Sequence, residues 1–255
     1  MDIEEYENEF AELVKDYQKS QYFDGRLCPD QYVGLISDLA QNYYSRSVEN
    51  NIFDYSQASL TINKKIQLPD KILLLMLESS HIAEYFEQVK RRTYGKKRDF
   101  PAPAMGKFPG ETGHNIVSPL RNTFFTYPES IRKRHLILMN AIPFQCSLGV
   151  ETNTFRDDVF DAAWKDELIG QSFCEKRLNI LLKSLEGKNV VIVNACTKSK
   201  DDKKKKGRKH NITESIEKVI KKYKSEKIEL WEAPHPSSPW WFIEKCWEKI
   251  YPTES

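Results

Sequence analysis

The chain of 255 residues has no apolar run approaching the roughly 18–20 residues that a membrane-spanning helix needs. Its first residues are acidic, so a basic secretory leader is not expected there. Five cysteines, an odd number with no CxxC pair, argue against a disulfide framework and against a self-contained zinc site. An excess of one charge is also missing, since 39 Lys and Arg stand against 37 Asp and Glu, and a formal net charge of +2 names no class of partner. No repeat of fixed period is visible. With 30% charged and 40% hydrophobic residues, the chain reads as a folded, reduced protein, expected in the cytoplasm. Its length admits one large domain or two small ones.

What is present is unevenly distributed. The acidic opening segment carries Ile3, Tyr6, Phe10, Leu13, Val14 and Tyr17 at helical spacing, which predicts an amphipathic helix. A second helix is expected after Pro29-Asp30, with Tyr32, Leu35, Ile36 and Leu39 as its apolar face. These residues carry no catalytic grouping, and 1–65 is expected to be a helical extension packed on a main domain at 66–255.

Four short apolar runs follow: KILLLML (71–77), HLILMN (135–140), NVVIVNA (189–195) and KIELWEA (227–233). Continuous rather than alternating, they predict strands covered on both faces. Helical patterns at 173–185 and 212–223 lie between them, and Gly187 falls where a helix would end. Strand and helix in alternation predict an α/β fold: a three-layer α/β/α sandwich around a central four-stranded parallel sheet, plus the N-terminal helical extension.

Ligands of open α/β sheets bind beyond the carboxyl ends of the strands. Those ends read Glu78-Ser79-Ser80-His81, Asn140-Ala141-Ile142-Pro143, Asn194-Ala195-Cys196-Thr197 and Pro234-His235-Pro236-Ser237-Ser238-Pro239. One carboxylate, one amide, one imidazole and hydroxyls from different strands point to one site. Two further segments stand out. Residues 91–113, rich in basic residues, Pro and Gly, predict a long loop or lid, and KSKDDKKKKGRKH at 198–210 predicts a solvated basic loop.

The segment APHPSSP followed by WWFIEKCWEKI resembles the HPSP-type loop of the uracil-DNA glycosylase superfamily, with the second piece expected to be helical. LESSHIAEY resembles that group's first motif, with Glu78 at the position of its glutamate and Glu84 at that of the later acid. PAMG (103–106) and GETGHNIV (110–117) resemble the segments that follow, and LILMNAIPFQC resembles the strand whose terminal Asn reads the flipped base. CEKRLNILLKSLEGKNVVIVNA is similar to the helix and third strand before the last motif, so the resemblance runs from about 70 to 250.

The resemblance implies a DNA glycosylase that hydrolyses the N-glycosidic bond of a nucleotide flipped out of its helix. Glu78 would orient water and stabilise the oxocarbenium-like sugar, and His235 would donate to the departing base. Asn140 would read the base, with Ala104, Met105 and Ser79 around it. Ser237 and Ser238 are suited to phosphate contacts. Trp240 and Trp241 would fill the gap left in the duplex, the bland alternative being that they form the buried face of a last helix. Lys203, Lys204, Lys205, Lys206 and Arg208, with Lys209, would supply sequence-independent attraction to DNA, as would Arg91, Arg92, Lys96, Lys97 and Arg98.

The sequence also departs from that group. Ser80 replaces a proline and His81 a glycine or tyrosine, and Ala104 stands where many members carry an aromatic that stacks on uracil. Only Cys146 and Cys174 lie near positions used for an iron–sulfur cluster, so neither cluster nor metal nor other cofactor is expected. Ala104 and the long lid imply a roomier pocket, open to a 5-substituted or glycosylated pyrimidine of the kind found in some phage DNA, which would make the role antiviral defence. Met105 or Phe108 would close that pocket if either restored the stack. The alternatives are a uracil-DNA repair glycosylase, a non-catalytic module recognising altered bases, and a small-molecule hydrolase acting on nucleosides or nucleotides. No lysine sits at a strand-end attack position, so a monofunctional enzyme is expected, acting on DNA as a monomer and away from membranes. A nuclease is disfavoured for want of a carboxylate cluster with a lysine at metal-binding spacing.

Overall fold

The computed structural model describes residues 3–56, 59–121, 129–148, 155–198, 207–223, 227–243 and 246–251. The first half contains α1 (Ile3–Leu13), β1 (Gln31–Leu35), α2 (Leu39–Asn42), β2 (Phe53–Asp54), β3 (Thr61–Ile62) and β4 (Lys71–Ser80). Then come α3 (Ile82–Tyr85), β5 (Phe86–Lys90), β6 (Thr93–Lys97), α4 (Thr112–Arg121), α5 (Glu129–Arg132) and β7 (His135–Gln145). The remainder comprises α6 (Arg156–Lys165), α7 (Gln171–Ser184), β8 (Asn189–Asn194), α8 (Arg208–Ile220), β9 (Ile228–Glu232) and β10 (Glu248–Tyr251).

Apolar side chains on both edges of each run leave these strands no face that tolerates water. In β4, Ile72, Leu74 and Met76 join one hydrophobic cluster while Leu73, Leu75 and Leu77 join another. The sheet is thus covered on both sides. Its strand order is β1-β7-β4-β8-β9-β10. Strand β4 pairs in parallel with β7 and β8, and β8 pairs in parallel with β9. Strands β1 and β10 flank them antiparallel.

The protein is therefore a mixed α/β fold around a mixed six-stranded sheet, not a sheet of four strands. The four apolar runs are its four inner strands; the two edges were hidden for different reasons. QYVGL (31–35) pairs through its backbone with β7, so the apolar spacing taken for a second helix belongs to a strand followed by short helical turns. The aromatic end of the chain forms a 3₁₀ turn, Pro239–Phe242, and then β10, not a helix.

The N-terminal segment is tied into the same body. Tyr6 stacks on Phe173 with ring centroids 4.3 Å apart, and Phe10 on Phe144 at 4.6 Å, both at the core of the larger cluster. Beneath this lies a fully buried ion pair: Arg177 Nη1 donates to both oxygens of Asp30, at 2.8 and 2.7 Å, while Nη2 donates to the carbonyls of Asn140 and Ala141. The pair pins the centre of β7. Asp30→Ala leaves a buried guanidinium uncompensated and is expected to cost about 3–5 kcal/mol in urea denaturation. A loss below about 1 kcal/mol would show that Arg177 finds other compensation.

No helix among the described residues is long and apolar enough to cross a membrane.

Candidate active site

The carboxyl ends of the inner strands border a cleft of about 310 Å³. Glu78, Ser79 and Ser80 reach it from β4, Ser147 from beyond β7, Thr197 from beyond β8, and His235 with Ser237 from beyond β9. Arg156, the first residue of α6, and Arg91, Arg92 and Tyr94 of the β5–β6 hairpin close other sides. Glu78 and His235 thus share one cavity.

Glu78 is buried near the end of β4. Its Oε1 accepts from Arg208 Nη1 at 2.7 Å and lies 3.4 Å from Arg156 Nε. Its Oε2 is buried with no hydrogen-bond partner among the described residues. A carboxylate oxygen in that state is costly unless something fills the space beside it. Burial raises the Glu78 carboxyl above its ordinary range, with Arg208, Arg156 and the nearby Thr197 hydroxyl opposing.

His235 sits in a Pro-bounded turn whose shape holds its ring. Nδ1 lies 2.7 Å from the Ser237 hydroxyl and accepts from the Ser237 backbone N–H at 3.2 Å. An occupied Nδ1 leaves the proton of the neutral ring on Nε2. Burial, then Arg156, Lys209 and His81, pull its pKa down to about 3. The turn is anchored by Asn115 Nδ2, which donates to the Pro236 carbonyl at 2.7 Å, and by the Lys209 ammonium on the Ala233 carbonyl. A second imidazole, His81, lines the cleft with Nε2 buried and unpartnered among the described residues, and burial followed by Arg156 pulls it down to about 4.

Ala104, Met105 and Gly106 also line the cleft, in a segment held from several sides. Ala104 N–H donates to Glu84 Oε1 at 2.9 Å, its carbonyl accepts from the Tyr43 hydroxyl, and Arg46 Nη2 donates to the Pro103 carbonyl at 2.7 Å. Ala104 adopts φ 54°, a left-handed conformation that non-glycine residues enter only under external constraint. Helix α4 starts directly against this segment: a Cβ on Gly113 would fall 2.0 Å from the Ala104 carbonyl oxygen, so only glycine fits. Glu84 also lines the cleft, and burial pushes its pKa up to about 7.

Several expected site residues fall elsewhere. Asn140 is fully buried and does not line the cleft, because β7 runs on to Gln145 and puts Asn140 within the strand, not at its end. Its Nδ2 donates to Ser80 Oγ at 3.0 Å and Glu84 Oε2 at 3.4 Å, so it stands behind those two groups. Arg208 is not a solvated DNA contact. It opens α8, buried, with Nη1 on Glu78 and Nη2 on Asp157 at 3.0 Å. Lys209 is buried likewise. Lys203, Lys204, Lys205 and Lys206 lie outside the described residues. Trp241, 3% exposed, is core and packs on Trp247, whereas Trp240 is 58% exposed. Ser238 accepts from Trp240 N–H as the cap of the 3₁₀ turn, while Ser237 faces the cleft. Ala104 and Met105 line the cleft with Ser79. Of the lid cations, Arg91 and Arg92 line it; Lys97 pairs with Asp24 and Arg98 donates to the Ala83 carbonyl.

Arg156 carries no sequence signal of its own and was not foreseen. Among the described residues no group of three or more His, Cys, Asp or Glu is placed to hold a metal ion. Comparison with protein-family models, with curated proteins and with solved structures finds no match to this chain.

Proposed function

We propose that this cleft hydrolyses the N-glycosidic bond of a flipped-out, modified pyrimidine in DNA, on a three-layer α/β/α scaffold like that of the uracil-DNA glycosylase superfamily. One observation carries the reading: a carboxylate whose Oε2 is buried without a hydrogen-bond partner among the described residues and an imidazole whose Nδ1 is taken up by Ser237 line the same cavity. In the proposed reaction the bond between C1′ and the base nitrogen breaks and its electron pair stays on the base. The Nε2–H of His235 hydrogen-bonds to that developing charge. A water held by Glu78 Oε2 adds its oxygen to C1′ and gives its proton to the carboxylate, which passes it to solvent.

Ala104 lines the cleft and contributes no aromatic ring to it. That supports a 5-substituted or glycosylated base, hence a defence role against phage DNA, over uracil repair. The test is release of free base, by mass spectrometry, from DNA containing glycosylated pyrimidines, uracil or neither. The account expects release from the first; release from uracil DNA alone would end the large-base reading. The buried Arg208–Glu78 contact is what supports a second reading, a non-catalytic module in which Glu78 is structural.

The pH profile offers a separate check. With His235 at about 3, its ring stays neutral across the working range, so no inflection near 6.5 is expected. The rate instead falls on the acid side as Glu78 protonates, at a pH above the ordinary carboxylate range. An inflection near 6.5 that vanishes in His235→Gln would contradict this assignment.

A further inference from the structure

The cleft is electropositive beyond what Glu78 requires. Three arginines line it: Arg91, Arg92 and Arg156. Against them stand three carboxylates: Glu78, which buried Arg208 compensates, Glu84, whose pKa burial pushes up to about 7, and Glu111, which accepts from Gln88 and the Phe108 N–H. Both cleft imidazoles are driven neutral in part by Arg156, so that guanidinium acts on the whole cavity.

Among the described residues Arg156 donates a hydrogen bond through Nε alone. Its Nε lies 3.3 Å from Asp157 Oδ1 and 3.4 Å from Glu78 Oε1, and its side chain is 25% exposed. Nη1 and Nη2 have no partner among the described residues. Phe155, just before it, adopts φ 54°, a rare conformation for a bulky residue. A guanidinium oriented through Nε, with both terminal nitrogens open, presents the fork that matches two oxygens of a phosphate.

We propose that Arg156 is the phosphate-holding residue of the cleft, its Nη1–Nη2 fork taking the phosphodiester beside the flipped nucleotide, so that the protein acts on nucleotides within a strand and not on free nucleosides. The inference rests on the glycosylase reading for where that phosphate lies. It also gives the cavity a counter-charge: a phosphate on Arg156 draws the guanidinium's field away from Glu78, leaving the carboxylate a better partner for a cationic sugar.

The experiment measures binding of a labelled duplex carrying one abasic-site analogue, by fluorescence anisotropy over a range of salt, to the full chain and to Arg156→Gln and Arg156→Lys. Arg156→Gln is expected to weaken binding roughly tenfold and to reduce the slope of log K against log salt by about 1. Arg156→Lys should keep the slope while recovering only part of the affinity, because the charge remains and the fork does not. Replacing the phosphate next to the abasic position by an uncharged methylphosphonate should weaken the parent protein and leave Arg156→Gln no weaker than before. An unchanged salt slope in Arg156→Gln, or equal methylphosphonate losses in both proteins, overturns the proposal. Base release is scored in parallel: its absence from every DNA tested would remove the glycosylase reading, while the salt slope would still decide whether Arg156 holds a phosphate.

Discussion

Replacing Glu78 by glutamine is expected to slow base release by roughly 10²–10⁴-fold while DNA binding is retained. The amide keeps an oxygen for Arg208 Nη1, and Arg208 keeps Asp157 as its second partner, so the fold should persist. What is lost is the charge and the basic Oε2, which has no hydrogen-bond partner among the described residues. The acid limb of the pH profile should flatten in the variant, since that limb belongs to the group removed. Single-turnover release of base, with binding measured separately, checks both parts. Retained release would assign Glu78 to architecture and move the chemistry elsewhere; in a non-catalytic module neither protein would release base.

The second large effect lies in stability. Glu84 is buried with few groups to favour its charge: Ala104 N–H on Oε1, and Asn140 Nδ2 with the Cys28 thiol on Oε2. Its pKa rises from an ordinary 4.5 to about 7, because burial outweighs those donors. The folded state therefore holds a proton that the unfolded chain releases above 4.5. That contribution is present in full below pH 4.5 and is lost as pH rises through about 7, corresponding to about 3 kcal/mol. Denaturation midpoints are expected to fall between pH 5 and about 8, and Glu84→Gln, which needs no proton, should remove most of that fall. A wild-type stability that climbs with pH over this interval would contradict the assignment.

Much of the inner sheet was legible because β4, β7, β8 and β9 are buried on both faces and so carry uninterrupted apolar runs. The edges were not. β1 has a burial pattern of one buried and four half-buried residues, and its spacing of Tyr32, Leu35 and Ile36 satisfies a helix as well as a strand. Its identity comes from pairing with β7, a long-range contact that local sequence does not encode. At the site, Glu78 and His235 follow apolar runs closely enough to be placed at strand ends. Asn140 also follows such a run, yet β7 continues through Ala141 and Ile142 into a second buried stretch, which turns an apparent end into a midpoint. Arg208 shows the opposite failure. Embedded in a lysine-rich segment, it reads as solvated until tertiary structure supplies Glu78 and Asp157, far away in sequence, as its partners.

The central claim is spatial: one nucleotide, swung out of its strand, lies between the Glu78 carboxyl and the His235 imidazole. A crystal structure of the protein bound to DNA carrying a non-hydrolysable modified nucleotide tests it most directly. The account predicts the sugar C1′ beside Glu78 Oε2, the base within hydrogen-bonding reach of His235 Nε2, and its 5-substituent in the open space above Ala104. A nucleotide left stacked in its helix, or seated on a face of the protein away from this cleft, would contradict it.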